Sequence, residues 1–340
     1  MKSLETVIKA EAKKAGYEAC GIIKAAPFEE FMAGLEERST IFPHAAPVYE
    51  QLKNMVHPKE KVPWAESIVV CLRRYDKYQL PEGLEKYIAK AFLFDGRLSY
   101  SSEYAGNIAF EQFLQKLDMR ATQILMPARW AAVKAGLGRF RNNTFLYTQQ
   151  GSWNWIDTWV VDKQLEYEKP IDNAQYLCPD NCNRCVKACP TGALSAPLTM
   201  DATRCISHLL FKESTSLPTE DLREKMGTCI YGCDACQNAC PVNKWKGKEV
   251  FVEPLPLEDM VDLEKIFLMD EVTYRTKLHP RFWYIGKDNF WQWKCNVIRA
   301  MANEAPEKYA NCFIQALRDL NENVREMAQW TLNKTGKDIG

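Results

Sequence analysis

A chain of 340 residues with 46% hydrophobic and 26% charged content can bury a large core and has room for two or three domains. Its 44 basic and 44 acidic residues cancel, so no global charge advertises nucleic acid. The N-terminal MKSLETVIKAEAKK is charged throughout and no run reaches the ~18 apolar residues of a membrane span, which predicts a cytoplasmic protein with no membrane partner. In that reducing compartment, thirteen cysteines point to metal ligation rather than disulfides.

The first segment reads as mixed α/β. LETVIKAEAKKAG spaces Leu4, Val7 and Ile8 on one helical face and stops at Gly16, and YEACGII follows as a buried strand. SIVVCL at 67–72 is a second strand, short and β-branched. NIAFEQFLQKLDMR sets Ile108, Phe110, Phe113, Leu114 and Leu117 on one side of a helix, with QILM after it as a further short strand. In KAGLGRFRNNTFLYTQQGSWNWIDTWVV, glycines, asparagines and QQGS punctuate aromatic strand-like runs. Two readings stand there: a hairpin whose tryptophans fill a core, or a glycine-relieved loop and aromatic wall beside a large planar cofactor. The GLG is no dinucleotide fingerprint, because the GxGxxG spacing fails at Arg141. Beyond the cysteine-rich stretch, the acidic, proline-containing connector FVEPLPLEDMVDLEK leads to a helical C-terminus. Two amphipathic helices part near NEAPEK and a third follows DLNEN, either a short HEAT-like repeat or an ordinary helical cap.

The chemistry lies in CPDNCNRCVKACPTGAL and CDACQNACP. Written out, these are Cys178-x3-Cys182-x2-Cys185-x3-Cys189-Pro190 and Cys233-x2-Cys236-x3-Cys240-Pro241, with Cys205 upstream of the second run. The bacterial ferredoxin pattern is C-x2-C-x2-C-x3-C-P, and the last cysteine of each run ligates the other cluster. Applied here, that crossing gives one [4Fe–4S] cluster on Cys178, Cys182, Cys185 and Cys240. The other takes Cys205, Cys233, Cys236 and Cys189. Two zinc sites compete for the same eight thiolates, but zinc explains neither the proline after both terminal cysteines nor the CPTGAL closure. Cys20, Cys71, Cys295 and Cys312 read as small core residues, and Cys229 is set aside because eight ligands are already in hand. Two clusters make an electron relay, and the long flanking segments imply a substrate or second cofactor at its end.

CPTGAL, DATRCISHLLFKE and MGTCIYGCDACQNACPVNK, following AGLG…NNTFLYTQQGSW, resemble the epoxyqueuosine reductases, the cobalamin-dependent iron–sulfur enzymes of tRNA queuosine synthesis. The match is also similar to the catalytic core of the reductive dehalogenases. The resemblance implies an α+β protein: an N-terminal mixed α/β, nitroreductase-like cobalamin-binding domain (1–170), a ferredoxin-like double-cluster domain (171–250) and a C-terminal α-helical HEAT-like domain (251–340). It implies that a corrinoid, bound without its lower base and reduced through the clusters, drives reductive removal of oxygen or halide. It further implies an external low-potential electron donor, ferredoxin- or flavodoxin-like, and a small-molecule substrate or tRNA. Position matching assigns corrinoid contacts to Asn143, Tyr147, Thr148, Ser152 and Ser207, with His208 available for a corrinoid side chain or for tuning the Cys205 cluster.

Departures from the family pattern gather on one half. The VDT.P segment whose aspartate donates a proton is replaced by ATQILMPARWAAVKAGLG, without a carboxylate; GKN becomes RNN at 141–143; DYH gives way to GRLSYSSEYAGN. Tyr100 and Tyr104 in that last stretch become the candidate acids. The expectation is a corrinoid-dependent reductase acting on an unidentified substrate. Two other readings stay open: a true tRNA epoxyqueuosine reductase with a substituted acid, for which Arg275, Lys277, Arg281 and Lys287 would meet phosphates, and a non-catalytic carrier that reduces a partner's corrinoid.

Overall fold

The computed structural model of the protein describes residues 2–94, 98–172, 177–211, 216–251 and 260–335. Helix α1 (Leu4–Lys14) starts where the Ser3 side chain accepts the Thr6 N–H, and the chain turns at Gly16 in the left-handed region, φ +87°. Strand β1 (Ala19–Lys24) then pairs antiparallel with β2 (Ser67–Arg74) from Ala19↔Leu72 to Lys24↔Ser67. After α2 (Glu29–Ile41), α3 (Ala46–Leu52) and β2 come α4 (Ser102–Lys116), the two-residue β3 (Ala121–Thr122) and α5 (Ala128–Lys134). Strand β6 (Asn154–Val161) pairs with both β2 and β3, giving the sheet order β1-β2-β6-β3, antiparallel throughout.

The period of two explains the layers. Ile68, Val70 and Leu72 of β2 face one way, into a core with α2, α3 and α5. Val69 and Cys71 face the other way, with Trp159, against α1 and α4. Covered on both faces, β2 is buried from Ser67 to Arg73, which is why it reads as a continuous apolar run instead of an alternating one.

Two sequence expectations shift here. QILM is not a strand: β3 stops at Thr122, and Met126 turns into the core beneath α5. Helix α4 begins five residues earlier than the apolar pattern suggested, because Ser101 caps it by accepting the Tyr104 N–H. The longer helix leaves Ile108 38% exposed, while Phe110 and Leu114 are buried as expected.

In the aromatic segment, β4 (Arg139–Phe140) and β5 (Leu146–Tyr147) form a small hairpin. A Cβ on Gly138 would lie 2.4 Å from the Tyr147 carbonyl oxygen, so the second glycine of GLG is what lets the two arms close. The hairpin holds no tryptophan; Trp153 and Trp159 are buried at the start and end of β6. The short helices between 184 and 238 include α6 (Arg184–Lys187), α7 (Ile206–Phe211) and α8 (Ala235–Asn238). The C-terminal helices are α9 (Phe290–Glu304), α10 (Ala310–Ala316) and α11 (Glu322–Thr335). They do not form a separate body. The largest core joins Trp293, Val297 and Met301 of α9 to Tyr75 and Leu93 from the first segment and to Ile230 and Tyr231 from the cysteine-rich one. Most of the acidic connector lies outside the described residues. Among the described residues no helix is long and apolar enough to cross a membrane.

Arg299 of α9 fastens that packing. It is buried, donates to the Gly227 carbonyl at 2.5 Å and also to the Cys229 carbonyl, and desolvation lowers its pKa to about 10, so it stays charged at neutral pH. Asn303 also serves the Gly227 carbonyl, at 2.9 Å; among the described residues Arg299 alone serves that of Cys229. Arg299→Met is therefore expected to leave one buried carbonyl without a partner and to cost about 1–3 kcal/mol, read as a lowered urea midpoint with an unchanged slope.

Candidate functional site

The eight cysteines separate into two sets of four around two hollows. Cys178, Cys182, Cys185 and Cys240 line one of about 550 Å³. Cys189, Cys205, Cys233 and Cys236 line the wall of a second, a cleft of about 420 Å³ that continues past Tyr75, Arg129 and Trp155. Among the described residues no three His, Cys, Asp or Glu side chains converge on a single point where one ion could sit. Zinc would need four sulfurs about 2.3 Å from one centre; thiols arranged around a hollow suit a four-iron cubane.

Each set is held by contacts distant in sequence. Cys205 ends a single turn of 3-10 helix that Asp201 caps, accepting from the Thr203 N–H at 2.9 Å and hydroxyl at 2.7 Å and from His44 Nε2 at 2.7 Å. Burial pushes the Asp201 carboxyl up, but the hydrogen bonds from Thr203 and His44 outweigh it and leave the pKa below the ordinary value. Tyr49 of α3 pins the same turn, donating to the Met200 carbonyl and accepting the Ala202 N–H. On the opposite wall Asp234, between Cys233 and Cys236, accepts from the Lys90 N–H and pairs with its Nζ at 2.9 Å, in a buried contact that rests on Trp153. At the other hollow, the Asn142 N–H donates to Cys178 Sγ at 3.5 Å and its amide to the Cys182 carbonyl at 2.7 Å. Burial, with Cys205 and Asp234 adding, pushes the Cys236 thiol up to about 12. Without metal the protein disfavours thiolate there, so iron binding must offset that cost.

Residues 178–243 match the 4Fe-4S double cluster binding domain family. The epoxyqueuosine reductase of Cellulophaga algicola is 30% identical over 275 residues, 76% of this chain and 85% of its own length. That of Lactococcus garvieae is 29% identical over 359 residues, 98% of this chain and 97% of its own. The chain belongs to the epoxyqueuosine reductase family. A solved epoxyqueuosine reductase with a tRNA-Tyr epoxyqueuosine-modified tRNA stem loop matches the fold at a TM-score of 0.80 and 25% identity, over 98% of this chain and 90% of that one. This epoxyqueuosine reductase-like protein is thus an iron–sulfur oxidoreductase with two [4Fe–4S] clusters.

The remaining sequence candidates are spread unevenly over this family member. Asn143, Ser152 and Ser207 line the cleft. Tyr147 lines the other hollow instead, where it is fully buried and, like Asn143, sits between the two cysteine sets: the Asn143 amide donates to the Tyr147 oxygen at 3.0 Å and to the Cys236 carbonyl at 3.2 Å. Ser152 joins the same network, donating to Gln237 and accepting from the Asn243 amide, each at 2.8 Å. Thr148 closes the turn to Gly151, and neither it nor His208 is among the residues lining either hollow. Tyr100 and Tyr104, 42% and 36% exposed, are likewise off the cleft, and the Tyr100 hydroxyl accepts from Arg281 at 2.6 Å.

Two cleft residues escaped the sequence reading. Tyr75 is 2% exposed, packs against Trp155 with tilted rings whose centroids are 4.8 Å apart, and its hydroxyl makes no hydrogen bond among the described residues. Burial, with Asp234 and Asp76 adding, holds this phenol protonated well beyond its ordinary value. Arg129 opens onto the cleft, donates to the Thr144 carbonyl at 3.0 Å and lies over the Phe145 ring at 4.5 Å. Although its side chain is exposed on the open cleft, desolvation lowers its pKa, and its charge favours the ionised form of Tyr75. The signal for Tyr75 was present in RRYDKY, directly after the central strand. A tyrosine at the end of a buried strand reads equally well as a structural residue, so the motif alone does not single it out.

Proposed function

We propose that this protein is a corrinoid-dependent reductase in which Tyr75, in place of the family's aspartate, supplies the proton for reductive removal of oxygen or halide. The reading rests on one juxtaposition: the only phenol and the only carboxyl among the residues lining the cleft are Tyr75 and Asp234, and Asp234 is already engaged by Lys90 Nζ at 2.9 Å. The cleft suits a corrin, since its walls are aromatic and aliphatic (Phe92, Phe145, Trp155) while Asn143, Ser152 and Ser207 offer hydrogen bonds to an amide-fringed macrocycle. A Cβ at Gly232 would come 2.5 Å from the Phe92 ring, so a glycine there is what lets Phe92 form that wall. When bound, the corrinoid would supply the low-potential two-electron chemistry that no side chain can.

The rest falls to the protein. The Cys178 set and the Cys205 set would hold the two clusters that supply electrons, and Asn143 and Tyr147 fix the protein between them, the Cys205 set lying beside the cleft. For a carbon–halogen bond, two electrons and the Tyr75 proton give C–H and free halide; for an oxygen that leaves as water, two electrons and two protons are needed, Tyr75 delivering one to the leaving oxygen and solvent the other. Arg129 stabilises the tyrosinate left behind until solvent reprotonates it. The buried aromatic box around Tyr75, with Trp153, Trp155 and Trp245, keeps competing water away from that hydroxyl.

A second reading, that the substrate is epoxyqueuosine in tRNA, is favoured by the fold match to the relative solved with a modified stem loop. The tract proposed for phosphates supports it weakly, since Arg275 is paired with Glu271 and Asp288 and Arg281 is buried against Tyr100. Anaerobic reconstitution with iron, sulfide and cobalamin, followed by turnover on an epoxyqueuosine stem loop and on halogenated aromatics, separates the two. Failure to retain a corrinoid spectrum after gel filtration overturns both.

A further inference from the structure

The two cysteine sets differ in what surrounds them. The Cys205 set faces the cleft, whereas the rim of the Cys178 hollow is an outer surface: Leu177 is 43% exposed, and Pro179, Asp180 and Pro241 are exposed beside it. Around this small apolar centre stand cations. Arg184 lines the hollow, Lys187 follows on the same helix α6, and Lys244 lies two residues beyond Val242 of the opposite wall. All three are exposed, and among the described residues none makes an ion pair. Asp180 is the one carboxylate among the residues lining this hollow.

We propose that this rim is the docking face for an acidic one-electron carrier protein, and that Arg184, Lys187 and Lys244 steer it onto the Cys178 cluster. The inference rests on the double-cluster assignment but not on the identity of the substrate. A relay needs an entry as well as an exit, and the cluster at the surface, away from the cleft, is the entry. The patch is also of the right kind. Redox encounters are small and transient, so a few apolar residues ringed by unpaired charge suffice; complementary charge then acts mainly on the association rate. An RNA would use the same charges, but it has to present its base at the cleft, which the Cys205 set faces.

The experiment mixes the anaerobic, reconstituted holoprotein with a reduced acidic flavodoxin in a stopped-flow instrument and follows bleaching of the cluster absorption. Dithionite serves in parallel as a small reductant that needs no docking. For the unaltered protein the flavodoxin rate constant should fall steeply with added salt. Lys187→Glu combined with Lys244→Glu should lower it roughly tenfold or more at low ionic strength, with iron content and the dithionite rate unchanged. The milder pair Lys187→Gln and Lys244→Gln should give a smaller loss in the same direction. A flavodoxin rate indifferent to salt and to both pairs overturns the proposal. So does a loss of tRNA stem-loop affinity with donor reduction intact, which would assign the face to RNA. Because cluster reduction is read before any substrate is added, an inactive cleft leaves the result interpretable.

Discussion

Tyr75→Phe is expected to lower turnover by roughly 10²–10⁴-fold, the usual contribution of a positioned acid, while iron content, corrinoid retention and the rate of cluster reduction stay as they are. The substitution removes one oxygen and keeps the ring, so the tilted packing on Trp155 and the contacts with Trp153 and Trp245 survive. No hydrogen bond among the described residues is lost with it. The loss should fall on kcat, since the proton is needed only as the bond breaks. A pH profile adds a second check. Because burial raises the phenol above its ordinary value of about 10, the acid stays protonated across the neutral range and should impose no alkaline limb below that value. Arg129→Gln removes the charge that favours the tyrosinate and should move any such limb further up. If Tyr75→Phe kept full activity and Tyr100→Phe lost it, the acid would lie in the segment that replaces DYH.

How legible these parts were depends on how locally each is encoded. The cysteine runs were read directly, since ligands, turns and terminal prolines all lie within short windows. The structure places four of these cysteines around each of two hollows. Strands β1 and β2 were equally plain, because central strands are continuous apolar runs. Helix α4 was mis-bounded because a cap, not an apolar residue, sets its start. The cleft was the least legible part. Its lining combines Tyr75 after β2, Arg129 at the start of α5, Trp155 on β6 and Cys205 at the end of a capped turn, positions brought together only by the antiparallel sheet and by packing from the C-terminal helices. Position matching to a family leads to Asn143, Ser152 and Ser207 there, but not to Tyr75, which lies outside the quoted family motifs.

Loss of a single remote ligand should uncouple the relay. Cys205 lies far upstream of Cys233 and Cys236 in sequence and reaches them only through the Asp201 cap and the Tyr49 contacts. Cys205→Ala is expected to leave the Cys178 set untouched, so iron should fall from about eight to about four per chain. A protein donor should still reduce the remaining cluster at close to the unaltered rate. Turnover should nevertheless vanish, because nothing then carries the electron from the surface to the cleft. Cys182→Ala should do the reverse: the cleft-side cluster stays, small reductants reach it slowly, and the flavodoxin-driven rate disappears. The contrast tests direction as well as ligation. Were both variants to lose all iron, the two clusters would assemble as one unit. Were Cys205→Ala to keep eight irons, the fourth ligand would be another thiol, and Cys229, within hydrogen-bond reach of Cys233, is the nearest candidate.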